Sequence, residues 1–129
     1  MADGHVSIPG YSVIRQYCNR IAGGVLLYIK DNLKGKVLHA SKTTCSGKRL
    51  KPEYLFCEMW EESSNHVLIV LVYRPPNVLI RSEKKLVSLN RATCSDYSHK
   101  ILMDDWNADI HRKPESSDTC FIQELIDEL

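Results

Sequence analysis

The residues best suited to chemistry in this sequence lie between Ile101 and Asp109. The apolar residues Ile101 to Met103 predict a buried strand, and three carboxylates and an amide follow within six residues: Asp104, Asp105, Asn107 and Asp109. Carboxylate and amide oxygens are the ligands that a hard cation such as Mg²⁺ prefers. They are also expensive to bury unless they are paired, hydrogen-bonded or bound to a metal. The pattern therefore predicts a site at the end of this strand, although Asp and Asn are equally typical of a plain turn.

A second signal follows the most apolar strand that the sequence predicts, His66 to Tyr73. Val67 to Tyr73 are all apolar or aromatic, as expected for a strand that is covered on both faces. The next residues, Arg74-Pro75-Pro76-Asn77, end the strand because proline cannot donate to a ladder. Tyr73 alone would be an ordinary strand aromatic. Arg74 has two open interpretations, a phosphate contact or a solvated arginine.

The elements that must position these residues predict a mixed α/β domain with a layered sheet. Hydrophobic periodicity and turn residues predict further strands at Tyr11–Gln16, Val25–Ile29, Lys36–Ala40, Glu53–Trp60 and Lys100–Met103, with a hairpin connection at Glu61–Asn65. They also predict a surface helix over Ile80–Asn90 and a C-terminal helix with Phe121, Ile122, Leu125, Ile126 and Leu129 on one face and Ser116, Ser117 or Asp118 as its N-cap. Core positions are predicted at Leu27, Ile29, Leu68, Val70 and Val72.

Composition narrows the class of protein without revealing its function. The chain has 129 residues, of which 43% are hydrophobic and 26% charged, and its net charge is +1. The five cysteines have no Cys-x-x-Cys spacing, which favours a reduced, intracellular protein. No signal peptide and no apolar run near the roughly 20 residues of a membrane span are visible, so we expect a nuclear or cytoplasmic location and no membrane partner. The basic stretch 41–52 could contact a DNA backbone, but a solvated loop is the favoured interpretation.

Five sequence blocks, in this order, resemble the endonuclease/exonuclease/phosphatase superfamily. They are Ile8-Pro9-Gly10-Tyr11, Gly23 to Ile29, Lys51 to Phe56, Val72 to Asn77, and Asp105-Trp106-Asn107-Ala108-Asp109. The combination is most similar to the apurinic-like endonuclease domains of non-LTR (LINE-type) retrotransposons, and it covers the chain from about Ile8 to Leu129. The resemblance implies a partial four-layered α/β sandwich, in which two packed mixed sheets are flanked by helices.

The resemblance also implies a chemistry: hydrolysis of a DNA phosphodiester with Mg²⁺, or alternatively Mn²⁺. Three residues match the family's catalytic positions. Tyr73 matches a tyrosine whose hydroxyl lies near the scissile phosphate, and Asp105 matches the aspartate that acts on the attacking water as a general base. Asn107 matches the asparagine that orients this aspartate and the phosphate. Asp105 is also a possible metal ligand, while Asp109 is common in this branch without a core catalytic role.

Three departures from the family pattern matter. No residue here occupies the place of the family's metal-ligating glutamate, which precedes the first block, and the Ser-Asp-His element lies beyond Leu129. We therefore expect residues 1–129 to be a single truncated domain whose partner is the remainder of that domain or a reverse transcriptase on the same polyprotein. Finally, the family's usual motif is Gly-Asp-Phe-Asn, whereas the corresponding residues here are Asp104-Asp105-Trp106-Asn107. Trp106 is a tolerable aromatic exchange. Asp104, in contrast, adds a side chain and a charge where glycine allows close backbone approach, so we expect impaired metal geometry even in a completed domain.

Two functions from different classes follow from this pattern. The first is a metal-dependent DNA endonuclease domain of retrotransposon origin that is inactive as this fragment. The second is a non-catalytic, decayed remnant with at most weak nucleic-acid binding. A phosphatase acting on small phosphoesters is a more distant third, since the Tyr-Arg-Pro-Pro-Asn block favours the retrotransposon branch.

Overall fold

Six strands and two helices make up the described part of the chain, residues 7–16, 24–41, 51–75, 84–107 and 117–127 of a computed structural model. The strands are β1 (Tyr11–Gln16), β2 (Val25–Lys30), β3 (Lys34–Ala40), β4 (Glu53–Trp60), β5 (Val67–Tyr73) and β6 (His99–Asp105), and the helices are α1 (Lys84–Cys94) and α2 (Ser117–Asp127). The protein is mixed α/β and mostly strands, which confirms the predicted class. No helix in these residues is long and apolar enough to cross a membrane.

The strands form two sheets. Strands β1 and β2 pair antiparallel, and the second sheet has the order β3-β4-β5-β6, with β3, β4 and β5 antiparallel and β6 parallel to β5. The turn between β4 and β5 is closed by Ser64, whose N–H donates to the carbonyl of Glu61 at 3.0 Å. A parallel pair needs a crossover, and α1 lies in the connection from β5 to β6. This crossover brings together two segments that are far apart in the sequence.

Strand β5 is the centre of the core because both of its faces are buried, as predicted. Leu68, Val70 and Val72 face one cluster, which includes buried residues of β4, α1 and α2: Tyr54, Phe56, Leu86, Cys94, Ile122 and Leu125. Ile69 and Leu71 face the other, with Leu27 and Ile29 of β2. The described residues therefore form three layers, which are helices, the four-stranded sheet and the two-stranded sheet. The predicted core positions are all confirmed.

Two close contacts join the layers. Gly35 of β3 leaves room for Ile29, because a Cβ at this position would lie 2.4 Å from the Ile29 Cδ1 atom. Between the helices, the buried Asn90 side chain donates to the carbonyl of Leu125 at 3.2 Å. That carbonyl lies in the last turn of α2, where carbonyls lack a partner within the helix. Asn90 thus links α1 to the end of α2.

Most predicted boundaries agree with the structure to within two residues, but three differ in ways that matter. Helix α1 begins at Lys84 and continues to Cys94, beyond the predicted end at Asn90; residues 80–83 lie outside the described residues. Helix α2 begins at Ser117, so Ser117 and Asp118 belong to the helix, and Ser116 is outside the described residues.

The third difference concerns β6, which the sequence predicted as a buried strand that ends at Met103. The prediction was wrong on both points. The strand continues through Asp105, and Ile101 and Met103 are 44% and 43% exposed. The physical reason is position: β6 is the last strand in the order of the described sheet, so only Leu102 on its helix-facing side packs against the core.

Candidate active site at the end of strands β5 and β6

The parallel pairing of β5 with β6 places Tyr73 beside Asp105. The two residues are direct partners in the register, at the C-terminal ends of both strands, although they are far apart in the sequence. Directly paired residues project from the same face of a sheet. This is the face toward the two-stranded sheet, since Leu71 and Ile69 lie on it. The structure therefore brings together two of the residues that the resemblance singled out. Tyr73 is half-buried and Asp105 is exposed.

Asp104 and Asp105 lie on opposite faces of the sheet. Both belong to β6, and successive side chains of a strand alternate between faces. Asp104 pairs with Val72, on the helix-facing side, and is exposed. The acidic pair is therefore not one cluster of carboxylates. The charge of Asp104, which the sequence suggested would disturb the site, projects away from Asp105.

A tight turn after β6 fixes the carboxylate of Asp105. The backbone N–H of Asn107 donates to Asp105 Oδ1 at 3.2 Å. Asn107 has a φ of 46°, in the left-handed region that asparagine tolerates better than most residues. The resemblance assigned the orienting role to the Asn107 side chain. In the structure the backbone of Asn107 makes the contact, and its Nδ2 instead donates to the carbonyl of Arg74 at 2.7 Å.

Arg74 is buried, at 6% exposure, and contacts the same turn. Its Nε donates to the carbonyl of Trp106 at 2.6 Å and its Nη2 to the carbonyl of Asn107 at 3.1 Å. The backbone N–H of Arg74 donates to the carbonyl of Asp105 at 2.9 Å. These hydrogen bonds agree with neither of the two interpretations that the sequence left open for Arg74, a solvated side chain or a phosphate contact. They join the end of β5 to the turn after β6.

The sequence analysis missed Glu53 as a residue of this edge. Glu53 is 4% exposed and pairs directly with Tyr73, so Glu53, Tyr73 and Asp105 form a row across three neighbouring strands on one face. The signal in the sequence was a glutamate immediately before the apolar run Tyr54-Leu55-Phe56-Cys57.

Trp106 anchors the turn in the core. It is 6% exposed and belongs to the helix-facing cluster. Its indole N–H is buried without a hydrogen-bond partner in the described part of the chain. The next residues, 108–116, which include Asp109, lie outside the described residues.

Among the described residues, Asp105 is suited to be one ligand of a Mg²⁺ site. Asp105 has an exposed carboxylate whose Oδ1 is held by a backbone N–H. Mg²⁺ is often held by one or two carboxylates and keeps several waters, so a single fixed, solvated carboxylate suits it. Among the described residues, no group of three or more His, Cys, Asp or Glu side chains is arranged to hold a metal. Asp105 is thus a candidate ligand, and Asn107 and Tyr73 are candidate phosphate contacts.

A second polar cluster lies at the opposite end of the sheet. His66 Nδ1 contacts Glu58 Oε1 at 2.5 Å, and its ring stacks on Trp60 with centroids 4.9 Å apart. The hydrogen bond with His66 lowers the pKa of Glu58, while burial, followed by the charge of Glu58, raises the pKa of Tyr97. A cleft of about 350 Å³ is lined by Glu58, Asn65, His66, Asp96, Tyr97 and Ser98. This cluster stabilises the hairpin of β4 and β5, and it is separate from the candidate site.

Comparison with known proteins adds no family to these observations. No model of a protein family matches the chain, and no curated protein matches it.

Proposed function

We propose that this chain is the partial domain of a metal-dependent phosphodiester hydrolase, a DNA endonuclease of the endonuclease/exonuclease/phosphatase type and of retrotransposon origin. The observation that carries the proposal is the register pair of Tyr73 and Asp105, with Asn107 in the adjoining turn. The fourth and fifth of the sequence blocks that resemble the family lie at the ends of β5 and β6, and the crossover between these strands brings the two blocks to one edge of the sheet. The register thus places the tyrosine and the aspartate that the resemblance singles out side by side on one face, which supports the proposal.

Each residue has a role that its position allows. The Asp105 carboxylate, with Oδ1 held by a backbone N–H, accepts a proton from the attacking water as a general base. The Tyr73 hydroxyl and the Asn107 amide donate to phosphate oxygens, where negative charge increases during attack. A bound Mg²⁺ or Mn²⁺ would activate water and counter this charge, and Asp105 would be one of its ligands.

The three layers of the described residues support the proposed four-layered sandwich as the complete architecture. The two-stranded sheet packs one face against the larger sheet, and helices in that architecture flank both sheets. The family's glutamate and histidine have no match in this sequence. We therefore propose that residues 1–129 do not hydrolyse DNA by themselves, and that they act within the nucleus or cytoplasm beside the rest of the domain or a reverse transcriptase.

Cation binding tests the site independently of turnover. In ¹⁵N-labelled protein, sub-stoichiometric Mn²⁺ should broaden the amide resonances around Asp105 and Asn107. Asp105→Asn should abolish this effect. Asp104→Asn is the matched control, because it removes a neighbouring carboxylate from the opposite face, and it should leave the broadening unchanged. Broadening that persists in Asp105→Asn, or that both variants lose equally, would contradict the proposal.

A plasmid assay tests the proposed inactivity and the alternative function. The purified chain should leave supercoiled plasmid intact in Mg²⁺ and in Mn²⁺. Nicking that needs the metal and disappears in Asp105→Ala would refute the inactivity while supporting the nuclease class. DNA binding that is weak, insensitive to the cation and unchanged in Asp105→Asn would instead favour the non-catalytic remnant.

A further inference from the structure

Arg74 and Asn107 bond to each other's backbone. The Nη2 group of Arg74 donates to the carbonyl of Asn107 at 3.1 Å, and the Nδ2 group of Asn107 donates to the carbonyl of Arg74 at 2.7 Å. Both residues also contact Asp105, Arg74 through its backbone N–H to the Asp105 carbonyl and Asn107 through its N–H to Oδ1. The three residues thus form one hydrogen-bonded unit at the end of β5 and β6.

The unit maintains a left-handed backbone conformation at Asn107. Its φ is 46°, a region that asparagine tolerates better than most residues but that still costs free energy for any residue except glycine. Two neighbouring carbonyls, those of Trp106 and Asn107, accept from one guanidinium, at 2.6 and 3.1 Å. A planar group with fixed donor directions can hold both carbonyls at once, whereas the ammonium of lysine is a compact, point-like charge.

We infer that Arg74 is a positioning residue of the candidate site: it holds the turn after β6 and thereby the carboxylate of Asp105. The functional part of this inference rests on the proposed role of Asp105. Arg74 acts through carbonyls that are already its hydrogen-bond acceptors, and it need not touch substrate. Its burial, at 6% exposure, agrees with a fixed internal support.

The test compares Arg74→Lys and Arg74→Gln with the wild type. Loss of the two side-chain bonds should release the turn, so that hydrogen exchange at the Asn107 amide becomes about tenfold faster or more. Mn²⁺ binding at Asp105 should weaken several-fold in both variants, and lysine should fail to restore either property. Arg91→Gln is the control, because Arg91 is 61% exposed and makes a surface contact with Glu124 at 3.7 Å. It should change neither readout.

Different results would overturn the inference about Arg74 and the proposed function. Folded Arg74 variants with unchanged exchange at Asn107 would overturn it, as would full rescue by lysine. If the wild type binds no Mn²⁺ at Asp105, the proposed function fails, and amide exchange alone decides the role of Arg74. If neither Arg74 variant folds, the wild type still tests the inference: the Nε–H of Arg74, which donates to the carbonyl of Trp106, should exchange slowly with solvent. Rapid exchange of this group would also overturn the inference.

Discussion

Replacing Trp106 with phenylalanine should not destabilise the protein, although the change makes a buried side chain smaller. Trp106 is 6% exposed and lies in the cluster of Phe56, Leu68 and Val70. Its buried indole N–H has no hydrogen-bond partner among the described residues. Phenylalanine fills much of the same space and has no polar atom. Phenylalanine is also the usual residue at this position in the family that the sequence resembles.

Two opposing contributions determine the size of the effect. Removing a buried donor that lacks a partner should stabilise the folded state by about 1–3 kcal/mol. The smaller ring leaves a cavity and buries less apolar area, which costs roughly 1 kcal/mol. The net change should lie between about zero and 2 kcal/mol of stabilisation. Trp106→Ala, in contrast, should lose stability, because the cavity costs about 3–5 kcal/mol and the gain from removing the N–H offsets only part of that cost.

Urea unfolding followed by far-UV circular dichroism measures this difference directly. The midpoint of Trp106→Phe should stay or rise at an unchanged m-value, and 1 kcal/mol corresponds to a Tm shift of roughly 4 °C for a chain of this size. Trp60→Phe is a matched control, because Trp60 is only partly buried and stacks on an imidazole; it should lose at most about 1 kcal/mol. A loss above about 2 kcal/mol in Trp106→Phe would refute the reasoning and show that the indole N–H has a partner in solution.

Three further predictions concern other parts of the chain. A hydrogen bond with the neighbouring imidazole lowers the pKa of Glu58 below its ordinary 4.5, so its ionisation stabilises the folded state above that pH. This stability should be lost as pH falls below about 4.5; Glu58→Gln should flatten the acid limb in pH-dependent unfolding, and exposed Glu62→Gln should not. Burial raises the pKa of the Cys57 thiol to about 11, so a disulfide reagent at pH 8 should label exposed Cys120 at once and Cys57 only upon unfolding. Asn107→Ala should be less stable in thermal melts than Asn107→Gly by about 1 kcal/mol, because only glycine adopts a φ of 46° without strain; equal stabilities would contradict the turn geometry.

The sequence predicts the centre of the fold better than its edges. An uninterrupted apolar run from Val67 to Tyr73 requires cover on both faces, and both faces of β5 are indeed buried. The run Ile101 to Met103 is also entirely apolar, yet two of its three side chains are more than 40% exposed. Composition shows which side chains are apolar and favour burial. Whether such a side chain is buried depends on how many strands and layers pack around it. Those neighbours come from distant parts of the chain.

At the candidate site, too, the sequence predicts which residues are present but not the contacts between their atoms. Side-chain types, together with the resemblance on which the role of Tyr73 rests, identified Tyr73, Asp105 and Asn107, and the parallel register places the first two side by side. They gave a misleading account of Asp104, because two adjacent aspartates in a strand face opposite ways once the strand extends through both. They could not reveal that a backbone N–H orients Asp105, since that contact depends on the backbone dihedral angles between Asp105 and Asn107. Nor could side-chain types show that Arg74 donates to backbone carbonyl groups, because every residue has such a group. The decisive contacts of this site are made to the backbone, so the arrangement that would make Asp105 effective is set by the ends of β5 and β6 rather than by the number of acidic residues nearby.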